Sequence, residues 1–274
     1  MQDQKQARLY TLVSELGSAA VAFSGGTDST YLLAVCVDAL GQGNVLAVTA
    51  DSPLTPQAEL AQARELAAQL GVRHIILRSD DLNNPRITSN PPDRCYHCKF
   101  SRFSALLHAC HSAGIGHLLH GENCDDVADY RPGSLAAEEL GVRAPLREAG
   151  LTKSDVRHYS RARGLPNWDK PANACLASRF PYGTTLTADG LSRVEAAEEA
   201  LRKAWGLHHL RVRDHFPVAR VEVPSEHIQR FALPDYRTSA IEALHQVGYR
   251  YVTLDLVGYR MGSLNDDLES TSEY

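Results

Sequence analysis

Ser24-Gly25-Gly26-Thr27-Asp28-Ser29 follows a short apolar run, Ala19-Ala20-Val21-Ala22-Phe23, and precedes a helical pattern from about Ser29 to Leu40. A strand, a glycine turn and a helix start in that order form an anion cradle. The two glycines let the backbone turn sharply and approach a ligand. Ser24 and Ser29 offer hydroxyls. The amides at the helix start point at whatever sits there, and the helix dipole favours negative charge. Asp28 would repel a bare phosphate, and a bridging Mg²⁺ resolves that conflict. No Gly-Lys-Ser/Thr follows, so this is not a Walker loop, nor is it Gly-x-Gly-x-x-Gly. The bland alternative is an ordinary Ser/Gly turn.

Outward from this loop the first half alternates strand and helix signals. Val45-Leu46-Ala47-Val48-Thr49 reads as the second strand, Thr55-Pro56 as a helix start running to Leu70, and His74-Ile75-Ile76-Leu77 as the third strand. A Pro- and Asn-rich loop covers 82–94, a helix 96–113, and His117-Leu118-Leu119-His120 is a fourth strand. Alternation of this kind predicts an α/β fold, a parallel sheet flanked by helices. The pattern changes near 165. A polar stretch from Pro166 to Thr187 leads to an amphipathic helix over 188–205, strands at 209–213 and 218–223, helices at 225–231 and 235–247, and a strand at 250–257. The expected division is 1–165 and 166–274, the second part a smaller α+β domain with antiparallel strands.

Charge and composition narrow the function. The 274 residues carry 28 Lys and Arg against 33 Asp and Glu, a net −5 that argues against a polyanion such as nucleic acid. Residues 151–220 alone are net +5, which suits a small anionic substrate or a solvated surface. No apolar run reaches the roughly 18 residues of a membrane span, and the polar start, Met1 to Gln6, argues for the cytoplasm over export.

Six cysteines in a chain of this kind point to metal or catalysis more than to disulfides. Cys36 and Cys110 lie in apolar helical patterns and read as buried hydrophobes. Cys95-Tyr96-His97-Cys98 is a CxxC at a helix start, open to three readings: a redox dithiol, half a zinc site, or two ligands of an iron–sulfur cluster. No second CxxC exists for four-cysteine zinc. Cys175 stands alone in Ala174-Cys175-Leu176-Ala177-Ser178-Arg179. Three thiolates can hold a [4Fe–4S] cluster and leave one iron open for a sulfide. His97 is read as a polar neighbour, and Cys124 as structural. Gly121-Glu122-Asn123-Cys124-Asp125-Asp126 follows the fourth strand, at the sheet edge where open α/β folds bind ligands. Asp125 and Asp126 serve either Mg²⁺ or a helix cap. Asp51-Ser52 ends the second strand, where it either holds a nucleoside or shapes the loop.

The Ser24–Ser29 motif resembles the SGGxDS signature of PP-loop ATP pyrophosphatases, with their adenine nucleotide alpha hydrolase-like fold. Within that superfamily the chain resembles the LarE family of ATP-dependent pyridinium-3,5-biscarboxylic acid mononucleotide sulfurtransferases, which serve nickel-pincer cofactor synthesis and lactate racemase. The resemblance runs through Ser24–Ser29, Gly121–Asp126, Trp168-Asp169-Lys170-Pro171-Ala172, Ala174–Arg179, Arg211-Val212-Arg213, Ala219–Val223 and Asp255-Leu256-Val257-Gly258-Tyr259-Arg260. It implies ATP and Mg²⁺ at Ser24, Gly25, Gly26, Asp28, Ser29, Asp51, Ser52, Gly121 and Asp125. It makes Cys175 the sulfur site, and makes Arg179, Arg211 and Arg213 contacts to a nucleotide substrate with two carboxylates and a phosphate. Arg211 and Arg213 share a strand face by period-two spacing. Family position adds Glu199 and Glu222 as ligands of a divalent ion, although solvation explains Glu199 more simply. Some members sacrifice the sulfur of their one cysteine. With Cys95 and Cys98 this chain resembles the three-cysteine, cluster-dependent kind. The family also implies a homo-oligomer and a sulfur donor.

Three other classes compete. A tRNA-thiolating PP-loop enzyme also joins SGGxDS to CxxC and a later cysteine, but needs a broad basic surface. An ammonia-using ligase would not require the three cysteines. A degenerate nucleotide sensor would not require the intact Asp28.

Overall fold

A computed structural model of the chain describes residues 2–128, 132–171, 174–207 and 209–260. Ala172 and Asn173, which the motif reading reached, lie outside the described residues. The chain forms two compact units, 1–80 with 93–173, and 81–92 with 174–274. The expected division at 165/166 falls eight residues later, and it did not include the short 81–92 segment.

In the first unit, helix α1 (Gln2–Ser14) leads to strand β1 (Ala19–Ala22), helix α2 (Thr27–Leu40), strand β2 (Val45–Asp51), helix α3 (Gln57–Gln69) and strand β3 (Arg73–Arg78). The one-turn helix α4 (Pro85–Thr88) belongs to the other unit. Helix α5 (Arg94–Ser112), strand β4 (Leu118–Leu119), helix α6 (Pro132–Glu139), the short α7 (Pro145–Glu148) and α8 (Lys153–Ala162) complete the unit. The sheet is parallel in the order β3-β2-β1-β4.

Strand alternation sends side chains to two cores. Ala19, Val21, Val45, Ala47 and Leu119 pack with Leu9, Val13, Leu32, Leu33, Leu66, Val156 and Tyr159 from α1, α2, α3 and α8. Ala20, Leu46, Val48 and Leu118 pack on the other face against Phe103, Leu106, Cys110 and Ala137 from α5 and α6. Cys36 and Cys110 are buried as expected, and burial pushes their thiols up to about 12 and about 11. Strand β1 runs between β2 and β4, so its C-terminal end is where the strand order reverses, the position at which open α/β sheets bind ligands.

The second unit has helix α9 (Ala188–Trp205), strands β5 (Arg211–His215) and β6 (Val218–Glu222), helix α10 (Pro234–Gln246) and strand β7 (Tyr251–Leu254), in a sheet of order β5-β6-β7. β5 and β6 form the expected hairpin. β7 pairs parallel to β6, against the expectation of antiparallel strands throughout, because α10 carries the chain back over the sheet before β7 begins. The segment predicted as a helix at 225–231 is a 3₁₀ helix, Ser225–Ala232. Trp205, Val212, Val221, Leu244 and Tyr249 are among its core residues. The 81–92 segment joins this unit through Asn90, whose backbone is left-handed (φ +52°) and whose side-chain amide donates to Pro181 O at 2.8 Å. Asparagine tolerates that conformation better than most residues.

Helix α8 begins with a capping box. Asp155 N donates to Thr152 Oγ1 at 3.2 Å, and the Asp155 carboxylate accepts from Thr152 N at 3.0 Å and from Lys5 Nζ at 2.7 Å. Burial raises the Asp155 carboxyl, but the bonds from Lys5 and Thr152 outweigh it and hold it at about 2. A lowered carboxyl stabilises the fold above its unfolded value of about 3.9, and that contribution is lost as pH falls through the folded value. Asp155→Asn is therefore expected to lower the urea midpoint at pH 7, with the gap to wild type closing between pH ~4 and ~2. Thr152→Ala is expected to cost about 1 kcal/mol in the same measurement.

Candidate active site

The phosphate loop is the best-defined part of the candidate site. Gly25 is left-handed (φ +69°), and a Cβ there would lie 3.1 Å from the backbone of Ala63 on α3. Only glycine meets both demands. Gly26 caps α2 without a side-chain bond, and the first helical bond is Thr30 N to Gly26 O at 3.0 Å. The amides of Thr27, Asp28 and Ser29 therefore have no intrahelical acceptor, which is the donor set an anion uses. Ser24 Oγ lies 3.1 Å from Ser29 Oγ and accepts from Gly26 N at 3.3 Å, so both hydroxyls line the turn. Gly121, after β4, comes against the same helix start: a Cβ there would sit 2.8 Å from Ser29 N.

Asp28 pairs through Oδ2 with Lys153 Nζ of α8, while its Oδ1 is buried with no hydrogen-bond partner among the described residues. Burial pushes the carboxyl up, against the pull of Lys153. A buried carboxylate oxygen lacking a donor is a fitting ligand for a hard divalent cation.

Lys153 and Asn167, which the sequence reading did not single out, support this loop, and so does Lys170, which it quoted only within the Trp168–Ala172 motif. Asn167, 3% exposed, donates from Nδ2 to Gly25 O (2.9 Å) and Thr30 Oγ1 (3.0 Å), and its own carbonyl accepts from Thr27 Oγ1 (2.8 Å). Lys170 pairs with Glu59 at 2.6 Å and bonds Gln62, both on α3. The basic and proline-bearing stretch around Trp168 was the available signal, but it carried no indication of which turn it would pin. His120 ends the β4 edge, buried beside Phe103. Burial first, then Lys99 and Arg147, push it down to about 3, so it is neutral.

Other expected contacts have local tasks. Asp125 Oδ2 accepts from Lys153 N at 2.8 Å, and Asp126 Oδ2 from Asn123 N at 3.0 Å, so each carboxylate bonds a backbone amide in this structure. Ser52 Oγ accepts from Arg102 (2.5 Å) and Leu54 N (3.0 Å). Asp51 is half-buried at the end of β2, and its carboxylate makes no hydrogen bond among the described residues. Cys124, half-buried, donates to Arg147 O at 3.7 Å and is structural. His97 bonds Asp93 at 3.2 Å.

Cys95 and Cys98 occupy the first turn of α5, three residues apart and so on one helix face. Arg94, buried, donates to Cys95 Sγ at 3.7 Å. Cys175 belongs to the second unit, where it caps the 3₁₀ helix Leu176–Arg179. None of the three is in a disulfide. Among the described residues, no group of three or more His, Cys, Asp or Glu side chains converges on a metal position. Glu199 is exposed on α9, while Glu222 is buried and doubly bonded to Arg213, so the structure gives no shared ion site for them.

The three arginines expected to contact the substrate are held in different ways. Arg179 forks onto Glu198 (2.8 and 3.0 Å), and Arg213 forks onto Glu222 (2.8 Å for both arms). Their partners lie 19 and 9 residues away in sequence, which period-two spacing cannot reveal. Arg211 has no carboxylate partner among the described residues. It is 6% exposed, donates to Leu210 O at 2.9 Å and sits 5.2 Å from the Tyr259 ring centre. Burial, then the neighbouring Arg179, lower it from its ordinary value. The charge of Glu198 acts in the opposite direction.

Residues 1–130 match a PP-loop domain family model. The chain is 42% identical to the pyridinium-3,5-bisthiocarboxylic acid mononucleotide synthase of Lactiplantibacillus plantarum, over 96% of this chain and 95% of that protein. It is also 42% identical to an uncharacterised protein of Synechocystis, over 97% and 98% of the two chains. An argininosuccinate synthase of Halobacterium salinarum is 31% identical over 55% of this chain and 40% of its own length. The chain belongs to the LarE family of PP-loop proteins.

The Gly121 contact gives a direct test of the cradle. Gly121→Ala forces a methyl toward Ser29 N and is expected to cost about 1–3 kcal/mol of stability, as overpacking does. It should also weaken ATP binding measured by calorimetry on the folded variant.

Proposed function

We propose that this chain is an ATP-dependent sulfurtransferase that converts a carboxylate of pyridinium-3,5-biscarboxylic acid mononucleotide to a thiocarboxylate, in the cytoplasm, for nickel-pincer cofactor synthesis. The observation that carries the reading is the phosphate loop: a glycine turn fixed by Ala63, unbonded helix-start amides and a buried Asp28 oxygen without a donor. The substrate is supported by the name of the L. plantarum relative, which aligns along nearly the whole chain.

A carboxylate is a poor electrophile until it carries a leaving group. Its oxygen attacks the α-phosphorus of ATP, the bond to the β-phosphate oxygen breaks, and pyrophosphate leaves. The amides of Thr27–Ser29 and the hydroxyls of Ser24 and Ser29 hold the pyrophosphate as charge builds on it. Mg²⁺ at Asp28 would supply charge neutralisation, with Lys153 holding the other carboxylate oxygen. Arg211 holds a carboxylate or the phosphate of the substrate, since its guanidinium makes no carboxylate hydrogen bond among the described residues. A sulfur nucleophile then attacks the acyl carbon, and AMP departs with the former carboxylate oxygen.

Two sources of sulfur fit the cysteines. Cys95 and Cys98 have the spacing of cluster ligands, and with Cys175 they would hold a [4Fe–4S] cluster. When bound, that cluster supplies a nucleophilic sulfur. In the second reading the Cys175 thiolate itself attacks. Loss of its Cα proton then breaks the Cβ–S bond, which yields the thiocarboxylate and dehydroalanine.

Single variants of the anaerobically prepared protein separate these. On the cluster reading Cys95→Ala, Cys98→Ala and Cys175→Ala each lose bound iron and thiocarboxylate formation. On the sacrificial reading only Cys175→Ala is inactive, and the wild type ends about 34 Da lighter. ATP-independent thiocarboxylate formation, or none in any form of the protein, contradicts the proposed function.

A further inference from the structure

Arg179 is among the largest fully buried side chains of the chain, at 1% exposure, and it lies four residues after Cys175. All three of its guanidinium nitrogens are bonded. Nε and Nη2 fork onto Glu198 of α9. Nη1 donates to Ala174 O (2.8 Å), Cys175 O (3.1 Å) and Ser178 Oγ (3.0 Å). Ser178 in turn donates to Cys175 O from its amide (3.0 Å) and its hydroxyl (2.8 Å). On the far side, Arg213 Nη1 donates to Ser178 O at 2.5 Å while forked onto Glu222. The backbone from Ala174 to Ser178 is thereby tied to α9 through one arginine–glutamate pair and to β6 through another.

Glu198 is held as firmly as the arginine it holds. It also accepts from Val212 N at 3.2 Å and Arg202 at 2.6 Å, and the bond and charge of Arg179, then the charges of Arg211 and Arg202, draw its carboxyl down against the burial that would raise it. Buried ion pairs of this kind contribute little net stability against an apolar replacement, so their worth lies in geometry. The Cys175 side chain is only half-buried, on a backbone that is fixed on both sides.

We infer that Arg179 is a positioning residue for the Cys175 thiol, holding the Cys175 carbonyl by a fork anchored on Glu198, and is not a substrate contact. The inference rests on the reading of Cys175 as the sulfur site. A planar fork is required, because one end must match a carboxylate while the other spans two adjacent carbonyls, and lysine cannot do both.

Hydrogen exchange and thiol alkylation of the whole protein test this without ATP or substrate. In the wild type, the Ser178 amide should exchange as slowly as the amides of α9, and fast exchange there overturns the inference. In Arg179→Lys, exchange over 174–180 should accelerate at least about ten-fold, and iodoacetamide should reach Cys175 faster, while peptides of α10 and β7 stay at wild-type rates. Glu198→Gln, which removes the anchor and keeps Arg179, should do the same to a smaller extent and serves if the lysine variant does not fold. Wild-type exchange over 174–180 in a folded variant overturns the inference. In turnover, kcat should fall about ten- to a hundred-fold with KM for the carboxylate substrate nearly unchanged. A raised KM with unchanged kcat would make Arg179 a substrate contact. If the wild type shows no turnover, the proposed function fails while the exchange result still stands.

Discussion

The close approach of two backbones at the β1 edge is the constraint on which the first unit depends. Gly25 lies under Ala63 of α3, and Gly121 lies against the first turn of α2. A side chain at either place would push a helix off the sheet edge and take its amides out of line. The short, small-residue strand β1 and the loop beyond β4 are arranged to allow this approach. Asn167 and Lys170 then hold the turn from the other side by bonds to Gly25, Thr30, Glu59 and Gln62. A phosphate cradle needs fixed amides more than it needs charge, and the charge beside this one is Asp28 paired with Lys153.

In the second unit the arginines divide their work. Arg179 and Arg213 are neutralised by buried glutamates and shape backbone. Arg211, two residues from Arg213 on the same strand, is left with a carbonyl and an aromatic ring. Among the described residues no carboxylate bonds its guanidinium, although the charge of Glu198 acts on it. The net positive 151–220 segment read from composition therefore includes structural pairs, solvated surface and, in Arg211, a buried cation with no carboxylate hydrogen bond among the described residues.

The sequence made the sheet legible because each of its strands is a short apolar run followed by a turn and a helix. The glycine loop was legible because its function demands residues that little else does. The direction of β7 was not legible, since a strand pattern carries no direction, and α10 decides it. Nor were the arginine partners. Period-two spacing places Arg211 and Arg213 on one face but cannot say that Glu222, opposite Arg211 in the hairpin, bonds Arg213 diagonally, or that Glu198 on α9 reaches Arg179. Asn167 was invisible for the same reason: a lone asparagine in a polar stretch gives no sign that it will bond a glycine carbonyl more than a hundred residues earlier. Asp125 and Asp126 were ambiguous in sequence because capping and metal binding use the same short acid.

The central claim is that ATP is cleaved between its α- and β-phosphates by attack of a substrate carboxylate. It is tested most directly by supplying a dicarboxylate substrate labelled with heavy oxygen in its carboxyl groups and analysing the nucleotide products by mass spectrometry. The account requires AMP and pyrophosphate in equal amounts, with one labelled oxygen on the AMP phosphate, since the carboxylate oxygen leaves with AMP when sulfur arrives. ADP with orthophosphate, or AMP without the label, would contradict it.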